Sequence, residues 1–286
     1  MKLFKYRIIL NSFLLIVFIS LLASAQEKKK LSVEWRYSPE AASITQLPNV
    51  QWLDNGKAVI YDSRKPADQR TFELMDPAAG STKPALDMKK ALESLKNIMS
   101  EKTPPVLPPT SNFDKQGEKV FYLLGGDIYL LNLKDASFQR LTETKEEEKN
   151  VNFSPDGNFL AYVRSNNIYF YDIKNKIERA LTNDGSDSLL NGTLSWVYWE
   201  EVFGRKDLAY WWSDNSKSIA YLQTDESQVS VMYYPDFKPA VPDVIKQRYP
   251  KTGGVNPVVK VGVAGIEDAK TTWIDFSGNP YEYNKG

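Results

Sequence analysis

Phe153-Ser-Pro-Asp-Gly157, followed at once by Asn158-Phe-Leu-Ala-Tyr-Val-Arg164, joins an aromatic residue, a tight polar turn and a short β-prone run. The same pattern occurs three more times. It reads Trp52-Leu-Asp-Asn-Gly56 then KAVIYD, Phe113-Asp-Lys-Gln-Gly117 then EKVFYLL, and Trp212-Ser-Asp-Asn-Ser216 then KSIAYLQ. Gly or Asn in each turn supplies the positive φ that a tight hairpin requires. Within the run, Phe159, Ala161 and Val163 alternate with Leu160 and Tyr162, the period-2 pattern of a strand. Two units continue into a second hairpin, Asp127–Asp135 then Phe138–Thr142, and Asn167–Asn175 then Ile177–Thr182. That gives four strands per unit.

Matching turn positions lie 61 (117 − 56), 40 (157 − 117) and 59 (216 − 157) residues apart. A period near 40 residues with four strands is that of a β-propeller blade. The rival, a β-sandwich of repeated hairpins, does not repeat at this interval. The expected fold class is all-β, a partial propeller of four-stranded blades with a short helical insertion. The two long intervals then hold insertions. One, Asp76–Thr110, contains Asp87–Ser100, where Met88, Leu92, Leu95 and Met99 share a helical face. Its Pro-rich end, Thr103–Pro109, reads as a stiff connector. The other insertion is Asn183–Tyr210. Four units are visible and Val241–Gly286 reads as the start of a fifth. Because propellers close with about 4 to 8 blades, the expectation is the front of a longer protein or a truncated reading frame.

Residues 1–25 are expected to lie outside this fold. Lys2, Lys5 and Arg7 precede the apolar run Phe13–Leu22, and Ala23-Ser-Ala25 follows, the layout of a secretory signal cleaved after Ala25. The alternative is an uncleaved membrane anchor, for which the run is short against the roughly 20 residues a span needs. The propeller region is therefore residues 26–286, in a periplasmic or extracellular setting.

Composition excludes several chemistries. The chain of 286 residues has no His and no Cys, so it contains no His-dependent triad, no soft zinc site and no disulfide. Its 36 basic and 36 acidic residues balance, unlike the basic surplus of a nucleic-acid binder. No Gly-x-Ser-x-Gly elbow, Walker loop or dinucleotide fingerprint occurs. No catalytic residue, cofactor or metal is assigned. Glu146-Glu-Glu148 reads as a solvated loop, and Asp225-Glu-Ser227 as a turn. Asn191-Gly-Thr193 and Asn152-Phe-Ser154 match the glycosylation sequon, a weak signal.

One segment differs. Ser195-Trp-Val-Tyr-Trp-Glu-Glu-Val-Phe-Gly204 sets the adjacent carboxylates Glu200 and Glu201 among four aromatic residues. Such a pair suits a substrate ammonium, which has three donors and no acceptor. On composition alone, a short amphipathic helix with solvated glutamates is the stronger reading. A resemblance weighs the other way. Asn191–Phe203 resembles the double-glutamate motif of the dipeptidyl peptidase IV family. The likeness continues through Ala209–Leu222, Asp225–Ser227 and Arg248-Tyr-Pro-Lys-Thr-Gly-Gly-Val-Asn-Pro257.

The resemblance implies an eight-bladed propeller joined to an α/β-hydrolase domain with a Ser-Asp-His triad. It also implies release of Xaa-Pro or Xaa-Ala dipeptides and binding of the substrate's free α-amine by Glu200 and Glu201. Two positions depart from the family: Ser195 replaces an Asp and Trp199 a third acidic residue. No Arg near Gly117–Phe121 matches the family's carbonyl-holding arginine. The expected partners are peptide N-termini and the hydrolase domain that this chain lacks, with no nucleic acid; a homodimer is left open for a complete enzyme. The rival function is a non-enzymatic periplasmic propeller that binds a protein or glycan. A third option is a pseudogene fragment.

Overall fold

The computed structural model describes residues 31–275. The expected signal, residues 1–25, and the terminal Asn279–Gly286 lie outside the described residues. The chain divides into a short N-terminal unit and a main unit from Pro48 onward. The first contains helices α1 (Val33–Arg36) and α2 (Pro39–Thr45). Both start on serine caps, Ser32 Oγ accepting from Trp35 N–H and Ser38 Oγ from Ala41 N–H.

The main unit is a series of antiparallel meander sheets. Blade one is β1 (Asn49–Trp52), β2 (Ala58–Tyr61), β3 (Phe72–Asp76) and β4 (Ser81–Pro84), hydrogen-bonded in that order. Helix α3 (Met88–Met99) follows, with Asp87 Oδ1 accepting from Lys90 N–H at its start. Ala91 and Leu95 are buried, and Met88, Leu92 and Met99 pack on the same core, as the helical spacing predicts. Blade two is β5 (Lys119–Leu124), β6 (Asp127–Asn132) and β7 (Ser137–Arg140). Its expected fourth strand is reduced to one bridge, Phe113 to Val120. Pro104, Pro105, Pro108 and Pro109 lie just before it and have no N–H for a ladder.

Blade three is β8 (Lys149–Phe153), β9 (Phe159–Arg164), β10 (Asn167–Asp172) and β11 (Ile177–Ala180). The 40-residue repeat between blades two and three is physical. Gly125-Gly126 and Ser165-Asn166 both turn through paired positive φ, the type I′ requirement. Thr142 Oγ1 accepts from Ile128 N–H at 2.8 Å, and Thr182 Oγ1 from Ile168 N–H at 2.9 Å.

Blade four corrects the sequence reading. Val241–Gly286 does not open a fifth blade over its described part. β14 (Ser218–Asp225) pairs with β17 (Val258–Gly265), and β17 with β18 (Thr271–Trp273). Val241–Arg248 belongs to an inserted hairpin, β15 (Val231–Asp236) with β16 (Asp243–Arg248). Sequence periodicity missed this because the hairpin breaks the repeat after its second strand.

The core lies between blades. Along β9, Leu160 and Tyr162 face one layer with Phe121, Ile128 and Leu130 of blade two. Ala161 and Val163 face the next layer, with Tyr210, Ile219 and Ala264 of blade four. A strand between two sheets buries both faces, so the alternation separates two apolar layers rather than core from solvent. In the end blades, β1 and β14 are less evenly covered; Val50 and Trp52 are exposed. The sheets form an open, not a closed, propeller.

The acidic run 146–148 is only partly a solvated loop. Glu146 and Glu147 are exposed, but Glu148 is buried. Its carboxylate accepts from Thr142 Oγ1 and Thr144 Oγ1 at 2.8 Å each and pairs with Arg164 at 3.3 Å. Arg164 in turn holds Glu178 through two nitrogens, at 2.9 and 2.8 Å.

Candidate functional site

The insertion that carries Glu200 and Glu201 grows out of blade four's first strand. Two short strands, β12 (Leu189–Asn191) and β13 (Tyr210–Trp212), pair with opposite halves of β14. Residues 192–209 leave the sheet between them. Main-chain bonds close the neck: Gly192 N–H donates to Leu222 O, Ala209 N–H to Gly192 O, and Leu194 N–H to Asp207 O, each at 3.0 Å. Gly192 has φ +71°, and a Cβ there would lie 2.7 Å from Ile168 Cγ1, so only glycine fits.

Asn191 is fully buried. Its side-chain nitrogen donates to Asp184 Oδ1 at 2.9 Å, and its oxygen accepts from Gln223 at 3.0 Å. The asparagine of the first sequon is therefore an internal strut rather than a glycan acceptor. In the second sequon, Phe153 packs in the layer between blades two and three and Ser154 is buried.

Helix α4 (Trp196–Glu201) is a short helix ending at the two glutamates. Phe203 N–H reaches Tyr198 O at 3.0 Å and Arg205 N–H reaches Trp199 O at 2.8 Å, while Gly204 and Arg205 turn at φ 61° and 65°. Adjacent residues on a long regular helix diverge by about 100°. Glu200 and Glu201 both lie within this helix, so the two carboxylates can meet one cation only through their side-chain rotamers. Carboxylates in a helix's last turn oppose its dipole. Their placement is therefore unfavourable for the helix, and a cation beside them relieves it.

The two sequence motifs form one device. Trp196 packs edge-on against Trp199 (6.0 Å) and Tyr249 (5.1 Å), and Tyr198 OH donates to Pro257 O at 3.1 Å. The Tyr249–Pro257 stretch thus anchors α4 through both of its ends. Glu200 is half-buried and pairs with Arg205 at 3.1 Å. Glu201 is exposed, with no ion pair to another described residue.

Two residues at the site escaped sequence reading. Arg205 carries no motif signal. Glu226, read as part of a turn, is buried; burial pushes its carboxyl up, opposed by the Ser195 hydroxyl and by Arg248. Arg248 itself donates to Glu226 O at 3.2 Å and Val229 O at 3.0 Å, tying β16 to the end of β14. Among the described residues no cluster of acidic side chains is arranged to hold a metal ion.

These sheets, with an acidic helix inserted in the first strand of blade four, define an open β-propeller region. Residues 115–283 match the family model of the dipeptidyl peptidase IV (DPP IV) N-terminal region. The chain belongs to the dipeptidyl peptidase IV family and represents its N-terminal region. It is 38% identical over 159 residues to dipeptidyl aminopeptidase B of Saccharomyces cerevisiae, covering 54% of this chain and 19% of that protein. It is 29% identical over 177 residues to dipeptidyl peptidase 4 of Trichophyton rubrum, covering 59% and 22%. The fold is similar to the crystal structure of Porphyromonas gingivalis dipeptidyl peptidase 4, with TM-score 0.67 and 20% identity over 87% of this chain and 35% of that one. The chain thus spans about a fifth of the length of these two sequence relatives.

Proposed function

We propose that this chain is the propeller portion of an exported dipeptidyl peptidase IV-like serine peptidase. Glu200 and Glu201 bind the free N-terminal ammonium of a peptide, and a hydrolase domain outside this chain releases an Xaa-Pro or Xaa-Ala dipeptide. The observation that carries this reading is the carboxylate pair at the end of α4, anchored by Trp196–Tyr249 and Tyr198–Pro257. A solvated surface helix has no need of such anchoring. The names of the relatives support the same activity. In this reading the clamp measures two residues from the free N-terminus to the attacked carbonyl.

The test uses the peptidase completed with its hydrolase domain. Acetylating the substrate's amine removes its charge and leaves the carboxylates without their cation. Gly-Pro p-nitroanilide is expected to be cleaved, and its N-acetyl form to lose at least about 30-fold in kcat/KM, the lower end for breaking a desolvated charge pair. Equal rates on the two substrates refute the amine clamp.

Export is part of the proposal and rests on residues 1–25. Among the described residues no helix is long and apolar enough to cross a membrane. Mass spectrometry of the product recovered outside the cytoplasm is expected to find Gln26 at the mature N-terminus. Intact Met1–Ala25 on that product points to an anchor instead.

A further inference from the structure

The geometry points to Arg205 as a residue that sets the clamp's affinity: a tethered resident cation on Glu200 that an incoming ammonium has to displace. This rests on the reading of Glu200 and Glu201 as an amine clamp. Arg205 is fixed at its root and loose at its tip. Its N–H is bonded to Trp199 O at 2.8 Å and its φ is 65°, so the backbone is pinned in the left-handed turn that closes α4. Its side chain is 78% exposed, and Arg205 Nη2 meets Glu200 Oε1 at 3.1 Å. No other ion pair or hydrogen bond joins this guanidinium to a described residue.

Two consequences follow from charge and geometry. Glu200 and Glu201 together carry two negative charges, and Arg205 offsets one of them in the unliganded site. The remaining charge attracts a monocation, while the arm screens Glu200 from loosely matched cations. An ammonium is compact and carries three donors, so it can meet both carboxylates at once. The guanidinium meets Glu200 alone. Because an exposed pair of this kind contributes little, displacement lowers affinity by only a small factor, and only for ligands that engage Glu200. A ligand that engages both glutamates recovers more than this factor, and one that reaches only Glu201 avoids the competition without gaining the second contact. The arm therefore tempers affinity for a seated N-terminus without blocking it, and its removal uncovers Glu200 for the ammonium.

The variant has to preserve the left-handed turn, so Arg205→Asn is chosen over alanine. In the completed peptidase, Arg205→Asn is expected to lower KM for Gly-Pro p-nitroanilide by about two- to five-fold with kcat unchanged, the range set by an exposed ion pair. Arg205→Lys restores a cation and is expected to return KM toward the parental value. In a Glu200→Gln background the Arg205→Asn gain should vanish, because the residue it uncovers is no longer charged. An unchanged or raised KM in Arg205→Asn overturns the inference, as does a gain that persists in the Glu200→Gln background. The two readings fail separately. If Glu200→Gln alone leaves KM and kcat/KM at parental values, the clamp itself is wrong. If Glu200→Gln is damaging and Arg205→Asn brings no gain, only the resident-cation inference falls.

Discussion

Arg164→Met is expected to lower the unfolding free energy of the chain by about 3 kcal/mol, measured by urea denaturation at neutral pH. The substitution keeps an unbranched apolar stem but removes a guanidinium that serves two carboxylates, Glu148 and Glu178. Glu148 comes from the loop between blades two and three, Arg164 ends β9, and Glu178 sits in β11. The Glu148 side chain is fully buried and that of Arg164 is 12% exposed, so losing the cation leaves a buried charge with only hydroxyl donors. Glu178 is one-third exposed and can turn to water, which is why the expected loss sits at the low end for a broken buried pair. The guanidinium also lies 4.1 Å from the Tyr169 ring centre, a contact methionine replaces only in part. Glu147→Gln, one residue from Glu148 but exposed, is expected to change stability by under about 0.5 kcal/mol. An Arg164→Met chain within that margin of the parent shows that the network is a surface pair.

The same network sets an acid limb. Burial pushes the Glu178 carboxyl up, but Arg164 and the Tyr162 hydroxyl outweigh it and hold it below the ordinary value of 4.5. A carboxyl depressed by folding stabilises the chain fully above its unfolded pKa. That contribution is lost as the pH falls through the lower, folded value. The difference between parent and Arg164→Met should thus be full at pH 7 and shrink progressively below about pH 4.5.

The blades were legible because their signals are local. Gly56, Gly117 and Gly157 stand at φ 76°, 71° and 70°, as their turns require. Ser216 takes the fourth such position at φ 58° without glycine's freedom, and its hydroxyl accepts from Asp156 N–H at 3.1 Å across to blade three. A glycine there could not make that contact, so the strained residue is also the inter-blade link. Helix α3 was legible from the spacing of its apolar residues. What stayed hidden depends on contacts distant in sequence. Nothing near Glu148 announces Arg164, and nothing near Asn191 announces Gln223, 32 residues away. The first strand of blade four is split by the very insertion that bears the site, so its two short halves carry too few residues to show a period. Glu200 and Glu201 were found as a pair by composition and resemblance. That Tyr249 and Pro257 hold their helix follows only from the fold, although both stretches had been singled out in sequence.

In the completed peptidase, Glu200→Gln and Glu201→Gln are each expected to lower kcat/KM on free-amine dipeptide substrates by about 30-fold or more, without unfolding the protein. Glutamine keeps the shape of the side chain and one acceptor oxygen but removes the charge, so the loss reports electrostatics rather than packing. Truncating one partner of a desolvated charge pair costs about 2–5 kcal/mol, or roughly 30- to several-thousand-fold. The two glutamates should differ. Glu200 is half-buried, where water screens it less, and it belongs to the upper part of this range. Glu201 is exposed on this chain and reaches comparable strength only where a covering domain and the bound peptide exclude water. The fall should appear in kcat/KM with a raised KM, since the ammonium is held alike in the ground state and the transition state. N-acetylated substrate should respond to neither substitution, having no cation to lose. Glu147→Gln, an exposed carboxylate in a loop between blades two and three, should leave all rates at the parental value. If both α4 variants cleave free-amine substrates at the parental rate, the helix ends in two solvated glutamates and the amine clamp is abandoned.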